Sequence, residues 1–265
     1  MALNIVDLEI GYRQRSRAIS IASNLNLSFS EGELICLMGP NGVGKSTLLR
    51  TITGLQQPLA GSIEIAGQDL FSLSSKERAR LLAVVLTESS SNGLMTVKEA
   101  VALGRYPHTN WRDEKSTTDL EHITSAIQIV GLEERAEQPL LELSDGYLQK
   151  VSIARALCQD TPLIILDEPT VHLDVRNKRE VMELLRRLCT DKNKSVLIST
   201  HDLNLAKTFA DRIWLFDDGE ISTGIPEDLM LQGKILKVFG ESEDYHIKQT
   251  KRLEVTLQGE GQLVS

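Results

Sequence analysis

The sequence has few cysteines, few aromatic residues and no long apolar run. It contains 3 cysteines and 4% aromatic residues among 265 residues. Because the cysteine number is odd and no CxxC pair occurs, we expect Cys36, Cys158 and Cys189 to be reduced, as in a cytosolic protein. No stretch approaches the roughly 18 to 20 apolar residues of a membrane span, and the N-terminus lacks a basic segment followed by an apolar run. We therefore expect a chain that its own sequence neither exports nor inserts into a membrane.

The sequence also lacks an excess of positive charge. Its formal net charge is -8 and its isoelectric point is about 5.3. This balance argues against a broad surface for the nucleic-acid backbone, so we expect no nucleic-acid partner. The 5 histidines show neither HxxxH nor HExxH spacing, and no transition-metal site is expected. The length and the 41% hydrophobic content indicate a globular protein of one large or composite domain.

What the sequence does contain is a glycine-rich loop between a strand pattern and a helix pattern, within residues 33–49. The segment GPNGVGKS fits GxxxxGK[ST], in which glycines let backbone amides turn toward phosphate oxygens. We expect Lys45 to reach the β and γ phosphates, Ser46 to ligate Mg²⁺, and the following helix to add its positive dipole end. The predicted phosphate-binding residues are Gly39, Asn41, Gly42, Gly44, Lys45, Ser46 and Thr47. The pattern predicts a bound nucleoside triphosphate with Mg²⁺.

Apolar periodicity divides the chain into strand-rich and helical parts. Short apolar runs or alternation predict strands at 3–10, 25–29, 34–38, 63–65, 163–168 and 195–200. Between residues 97 and 143, apolar residues recur every three or four positions, which predicts an inserted helical segment. Apolar runs that alternate with helices imply a mixed or parallel sheet covered on both faces.

Candidate catalytic side chains follow two of these apolar runs. We expect Asp167 to hold Mg²⁺ directly or through water, and Glu168 to polarise an attacking water; the alternative is an acidic pair that caps a strand. His201 follows the next strand, from which its imidazole would reach the γ-phosphate, although a lone histidine is most often a surface or core residue. Tyr12, expected in the turn after the first strand, is either a half-buried turn aromatic or a platform that stacks on adenine.

The segment LSDGYLQKVSIARAL, residues 143–157, resembles the signature of ATP-binding-cassette (ABC) ATPases, whose usual form is LSGGQ. This signature segment, the phosphate-binding loop, LIILDEP, the loop at Asp174 and His201 occur in the family's order over nearly the whole chain. The resemblance implies an α/β fold: a P-loop NTPase core with an ABC-type antiparallel β subdomain and an inserted helical subdomain. It implies ATP hydrolysis by a head-to-tail homodimer, with Asp174 among the residues that bind the nucleotide. Ser144 and Gly146 would donate to the γ-phosphate bound by the partner, at a helix N-terminus that dimerisation completes.

Two departures from the family pattern bear on these roles. Asp145 and Tyr147 stand where the signature usually has Gly and Gln, and an acid beside a triphosphate would weaken closure by repulsion. We therefore expect Asp145 to face the dimer seam. Glu88 stands where the family usually has a Gln that contacts Mg²⁺, and a carboxylate there would meet the ion through water.

Residues 96–108, TVKEAVALGRYPH, are similar to those of ATPase subunits of importers for iron-siderophore, haem or cobalamin. The similarity implies integral membrane permease subunits as partners and, indirectly, a periplasmic or surface substrate-binding protein. It also implies a peripheral location at the cytoplasmic side of the inner or plasma membrane. ALGRYPH would then be part of the permease-facing surface, but a helix end followed by proline explains Gly104 and Pro107 equally well.

Residues 1–240 are predicted to form the ABC ATPase domain, with its helical subdomain at about 97–150, and residues 241–265 a C-terminal extension. The alternative function is a soluble ABC ATPase without a permease, yet the chain has one cassette and no linker, coiled-coil or zinc insertion. A P-loop kinase or GTPase would leave the signature segment and His201 without a purpose. We expect no fusion of the kind found in an exporter half with its own membrane helices, whereas an exporter half with a separate membrane subunit stays an alternative.

Overall fold

The computed structural model describes residues 2–14, 17–86, 94–109 and 116–240. The chain divides into two compact units, Met1–Pro226 and Glu227–Ser265. Within the described ranges, no helix combines the length and the apolar character that crossing a bilayer requires. Glu88 lies outside the described residues.

Strands and helices alternate along most of the described chain. The strands are β1 (Leu3–Gln14), β2 (Arg17–Phe29), β3 (Leu34–Met38), β4 (Ala60–Ile65), β5 (Gln68–Asp69), β6 (Leu82–Val85), β7 (Leu163–Leu166), β8 (Ser195–Ser199), β9 (Arg212–Asp217) and β10 (Glu220–Gly224). The α-helices are α1 (Lys45–Ile52), α2 (Ser75–Leu81), α3 (Val97–Ala102), α4 (Thr117–Ile129), α5 (Asp145–Cys158), α6 (Val175–Lys192), α7 (Leu203–Phe209), α8 (Pro226–Leu231) and α9 (Lys234–Phe239). Short 3₁₀ helices lie at Leu103–Arg105, Glu133–Arg135 and Leu140–Glu142.

A mixed six-stranded sheet forms the centre of the first unit, in the order β10-β9-β3-β8-β7-β6. The pairs from β9 to β6 are parallel, and β10 pairs with β9 antiparallel. Every residue of β3, β7 and β8 is buried. Central parallel strands are covered on both faces, which explains why these three read as continuous apolar runs in the sequence. The predicted α/β class and the predicted strands at these positions are confirmed.

A four-stranded antiparallel sheet, in the order β2-β1-β4-β5, forms the second β layer. Alternate residues of β1, such as Leu3 and Ile5, are buried in the apolar core together with Phe29. The expected turn at Tyr12 is wrong: β1 continues to Gln14, and Tyr12 pairs with Ile19 of β2. The apolar alternation ends at Ile10, but backbone pairing with β2 extends the strand to Gln14.

The helices predicted between residues 97 and 143 are confirmed as α3 and α4, which contact each other and α5, the helix that follows. Arg105 ties the three elements together, because its Nε donates to Asp119 Oδ1 of α4 at 2.7 Å and its guanidinium donates to Cys158 O of α5 at 2.9 Å. Asp119 also caps α4 through reciprocal hydrogen bonds with Ser116. Burial alone raises the pKa of Asp119, but the hydrogen bonds from Arg105 and Ser116 outweigh it and hold that pKa at about 2.

Cys36, Cys158 and Cys189 are all buried, and their reduced state stays a prediction. Burial raises the pKa of the Cys36 thiol and raises that of Cys189 to about 12. Because the thiolate is the reactive form, these two side chains act as small apolar residues of the core.

Asp119→Asn should destabilise the fold, because it leaves the buried Arg105 guanidinium without an anionic partner. We expect the free energy of unfolding in urea to fall by about 3–5 kcal/mol. The depressed pKa means that wild-type Asp119 contributes stability above its ordinary value of 3.8, and this contribution disappears as the pH falls toward about 2. The variant should lack that part of the acid transition.

Glu137→Gln is the matched control, since its ion pair with Lys98 is exposed, at 75% and 53% of the two side chains. This change should cost less than about 1 kcal/mol. Equal losses in the two variants would contradict a structural role for the buried pair.

Candidate functional site

The phosphate-binding loop, residues 39–46, connects β3 to α1. Gly44 caps α1 in a left-handed conformation with φ 119°, and a Cβ there would lie 2.6 Å from Ile21 Cγ2. Only glycine fits both the dihedral angle and the space. Lys45 is buried at the start of the helix, and its Nζ donates to Gly39 O at 2.8 Å and to Pro40 O at 2.9 Å. Since an ammonium has three donors, these bonds fix the charge at the loop and leave donor capacity for a phosphate oxygen.

The carboxyl ends of β3, β7 and β8 bring the predicted catalytic side chains to this loop. In the parallel register, Leu37 of β3 pairs with Ser199 of β8, and Leu166 of β7 pairs with Ile198 of β8. Burial lowers the pKa of Lys45, and the nearby charges of Glu168 and Asp167 partly restore it. The loop and both carboxylates therefore form one electrostatic cluster.

Ser46 and Asp167 line the same cavity, of about 520 Å³, beside α1 and β7. A hydroxyl and a carboxylate are hard oxygen donors, the type that Mg²⁺ prefers together with phosphate oxygens. The two residues therefore fit the predicted ion. Among the described residues, no cluster of three or more protein His, Cys, Asp or Glu ligands forms a self-sufficient metal site.

Glu168 and His201 approach each other at this edge, with 3.8 Å between Glu168 Oε1 and His201 Nδ1. Glu168 adopts φ 46°, in the left-handed region that a non-glycine residue rarely occupies. Its backbone N donates to Ser199 Oγ at 2.8 Å, and Ser199 Oγ lies 2.5 Å from Asp167 Oδ1. Sequence reasoning missed Ser199. The one signal available was a hydroxyl directly after the apolar run 196–198, two positions before His201.

Tyr12 lies close to α1, because its hydroxyl forms a 2.7 Å hydrogen bond with Thr47 Oγ1. Its side chain is 43% exposed, so one part contacts solvent while the hydroxyl is anchored. This arrangement replaces the expected turn with a strand residue held beside the phosphate-binding helix. An exposed ring in that place suits a stacking platform.

The signature segment leads into α5, which begins at Asp145 with Ser144 as its N-cap. The Ser144 side chain is exposed and makes no capping hydrogen bond to the helix. Capping serines usually accept from a backbone N–H of the first turn, so this helix start retains amide donors for an anion. Asp145, also exposed, lies in the first turn, where a negative side chain interacts favourably with the helix dipole.

Gly146 and Asp174 meet at one side chain, Asn177 of α6. A Cβ on Gly146 would lie 3.0 Å from the Asn177 amide, so the signature helix packs directly on it. Asp174 caps α6 by accepting from the Asn177 backbone N at 2.7 Å and from its Nδ2 at 2.9 Å. Asn177 was not predicted, since no motif marks it. The structure thereby connects the signature segment with the loop at Asp174.

Tyr147, the second departure from the signature, packs under a cation. The Arg135 guanidinium lies 4.3 Å from the Tyr147 ring centroid, and Lys150 Nζ lies 5.8 Å from it. Lys150 also forms a 3.0 Å ion pair with Glu180 of α6. These cation–π contacts fix the aromatic ring where the family usually has an amide side chain.

The match to a family profile covers residues 22–171, and the profile describes the ABC transporter family. The ferric enterobactin transport ATP-binding protein of Escherichia coli (strain K12) is 35% identical over 238 residues, which cover 88% of this chain and 85% of that protein. Similarity in sequence therefore extends beyond the profile, over most of both chains.

Two solved structures resemble this fold. One, described as an inward-facing conformation of a putative metal-chelate type ABC transporter, matches with TM-score 0.78 and 27% identity, over 90% of this chain and 88% of that one. The other is a dimeric ATP-binding cassette in a post-hydrolysis state with ADP and Pi, with TM-score 0.72 and 30% identity, over 84% of this chain and 98% of that one.

Gly44→Ala should weaken nucleotide binding, because the added Cβ collides with Ile21 and strains the loop. We expect the dissociation constant of a fluorescent ATP analogue to rise by about tenfold or more. Gly67→Ala is the control: Gly67 has φ 75° with open space around it, in the turn between β4 and β5. The control should lower stability slightly and leave affinity unchanged. Wild-type affinity in Gly44→Ala would contradict the loop's role.

Proposed function

Because this chain belongs to the ABC transporter family and is an ATPase, we propose that it drives uptake of an iron-siderophore, haem or cobalamin-type substrate through a separate membrane permease. The observation that carries the proposal is the 35% identity to a ferric enterobactin transport ATPase over 88% of this chain. The match to a transporter described as metal-chelate type points to the same cargo class. The chain would act at the cytoplasmic side of the membrane, with a substrate-binding protein that delivers cargo to the permease from outside.

The working unit is a head-to-tail homodimer in which two ATP molecules lie between the subunits. Support comes from the N-terminus of α5, where Ser144 leaves the first-turn amides uncapped by its side chain. The similar cassette with ADP and Pi is dimeric. Ser144 and the Gly146 amide would complete the γ-phosphate site of the partner, while Asp145 would face the seam.

In the reaction, the loop amides and Lys45 bind the triphosphate, and the anchored Tyr12 ring stacks on adenine. Ser46 and Asp167 would hold Mg²⁺, which neutralises charge that develops on the phosphate oxygens; Glu88 would contribute through water. Glu168 takes a proton from the attacking water.

His201 lies within 3.8 Å of the Glu168 carboxylate and steadies the γ-phosphate beside it. Asp174 contributes through the Asn177 amide, which it holds against Gly146. The catalytic side chains and the partner-facing helix end are thus both fixed by contacts within one subunit.

The permease would dock on apolar surface next to this centre. Leu55 and Leu86 are 65% and 49% exposed and line the cavity that also contains Ser46 and Asp167. On the helical insertion, Leu103 and Tyr106 are 51% and 75% exposed. A surface that shares a cavity with the nucleotide site can couple closure of the dimer to movement of the permease.

The backbone segment that carries Leu103 and Tyr106 is anchored by hydrogen bonds to neighbouring elements. Arg80 Nε donates to Pro107 O at 3.1 Å, and His108 Nε2 lies 2.9 Å from Gln159 O. Gly104 lies inside the 3₁₀ helix Leu103–Arg105 that follows α3, and a Cβ on it would lie 2.3 Å from Arg155 O of α5. Exposed apolar side chains on an anchored backbone favour the docking interpretation.

Glu168→Gln should retain ATP binding and lose hydrolysis by about 100-fold or more, because an amide cannot take the proton from water. The variant should accumulate as an ATP-bound dimer, which size-exclusion chromatography detects. Glu183→Gln, on the exposed Arg179 ion pair of α6, is the control and should hydrolyse ATP normally. Hydrolysis by Glu168→Gln at the native rate would refute its assignment as the base.

The cargo is tested by uptake in cells that lack this chain. We expect loss of uptake of one radiolabelled cargo among ferric siderophores, haem and cobalamin, with recovery by the wild-type gene and none by the Glu168→Gln gene. Unchanged uptake of all three classes would contradict the transport proposal and favour a soluble ATPase.

A further inference from the structure

Ser199, the last residue of β8, has no part in the motifs that mark this site. Its side chain is fully buried, with 0% relative exposure. Its Oγ donates to Asp167 Oδ1 at 2.5 Å and accepts from the Glu168 backbone N at 2.8 Å. One hydroxyl therefore contacts both residues to which the metal and water roles are assigned.

The sheet register puts the hydroxyl in this position. β7 and β8 are adjacent and parallel, with Leu166 opposite Ile198, so the residues that follow β7 lie beside the end of β8. Backbone hydrogen bonds continue to the strands on either side: Asp167 N donates to Val85 O of β6 at 2.9 Å, and Thr200 N donates to Leu37 O of β3 at 3.1 Å. Four strands thus hold the backbone around Ser199, which leaves its side chain little freedom to turn away.

The two hydrogen bonds act on a side chain and on a backbone: one holds the Asp167 carboxylate, and the other holds the Glu168 backbone N–H. The bond to Asp167 Oδ1 orients that carboxylate, because an acceptor held by a buried donor loses rotational freedom about its χ angles. The bond from Glu168 N satisfies the one donor of a peptide whose residue has φ 46°. A left-handed conformation at a glutamate is maintained only when its surroundings fix it.

We propose that Ser199 is a positioning residue that orients Asp167 toward the metal and fixes the backbone from which Glu168 reaches the water. The inference rests on the metal and base roles proposed for Asp167 and Glu168. It assigns Ser199 no contact with substrate. Its effect should therefore appear in Mg²⁺ dependence and in turnover, and hardly in nucleotide binding by the loop, which other residues carry out.

Ser199→Ala tests this directly, because it removes both hydrogen bonds without adding volume. We expect kcat to fall by about tenfold and the Mg²⁺ concentration for half-maximal activity to rise by a similar factor. The affinity of a fluorescent ATP analogue should stay near the wild-type value without Mg²⁺, and the gain in affinity that Mg²⁺ brings should shrink. The ratio of the affinities with and without Mg²⁺ is measured by binding alone, without ATP hydrolysis.

Ser195→Ala is the matched control, at the other end of the same strand. Ser195 is 1% exposed, and its Oγ donates to Ser30 O at 3.3 Å, away from the carboxylates. It should lower the melting temperature without changing Mg²⁺ dependence. Ser199→Thr keeps the hydroxyl and should restore Mg²⁺ dependence. If Ser199→Ala does not fold, Ser199→Cys, a weak donor of similar size, should show the same Mg²⁺ defect.

Wild-type kcat and Mg²⁺ dependence in Ser199→Ala would overturn the inference. If Ser199→Ala does not fold, the same result in Ser199→Cys would overturn it. So would equal defects in the Ser195 and Ser199 variants, since they would indicate a purely structural role. Failure of the underlying function has a different signature. If the proposed base role of Glu168 is wrong, Glu168→Gln will hydrolyse ATP at the native rate. If that role is right, Glu168→Gln is inactive, and the Ser199→Ala result tests the positioning role separately.

Discussion

The parallel alignment of β3, β7 and β8 is the constraint on which the rest of the structure depends. It places the phosphate-binding loop, Asp167 and the end of β8 at one edge of the sheet. The loop follows β3 and Asp167 follows β7, both fully buried strands, so these charged groups have rigid supports and need little ordering of their own. Burial lowers the pKa of Lys45 and the charges of Glu168 and Asp167 oppose that shift, so the three charges at this edge interact.

The second half of the proposed reaction centre lies on a different element. The N-terminus of α5 keeps uncapped amides near Ser144, and Asn177 connects Gly146 with the cap at Asp174. The two departures from the signature fit this helix without strain. Asp145 lies where the dipole favours an acid, and the Tyr147 ring packs under Arg135. The altered signature therefore keeps a helix start that no Ser144 side-chain hydrogen bond caps.

Local patterns in the sequence predicted the parts of the site that local chemistry determines. The loop before Lys45 and the carboxylates after an apolar run are each recognisable within about ten residues, and the structure has them at strand ends as expected. Tyr12 was placed wrongly in a turn, because pairing with β2 is a non-local interaction that extends β1. Ser199 and Asn177 were missed for the same reason. Their partners lie on neighbouring strands and helices, and register and helix packing are not readable from one segment.

In the proposed homodimer, one copy of this chain holds only half of each reaction centre. The decisive experiment measures specific ATPase activity from nanomolar to micromolar protein while sedimentation reports the oligomeric state. We expect activity per molecule to rise with protein concentration, in proportion to the ATP-bound dimer, and then to level off. Constant activity per molecule at concentrations where the protein sediments as a monomer would contradict it.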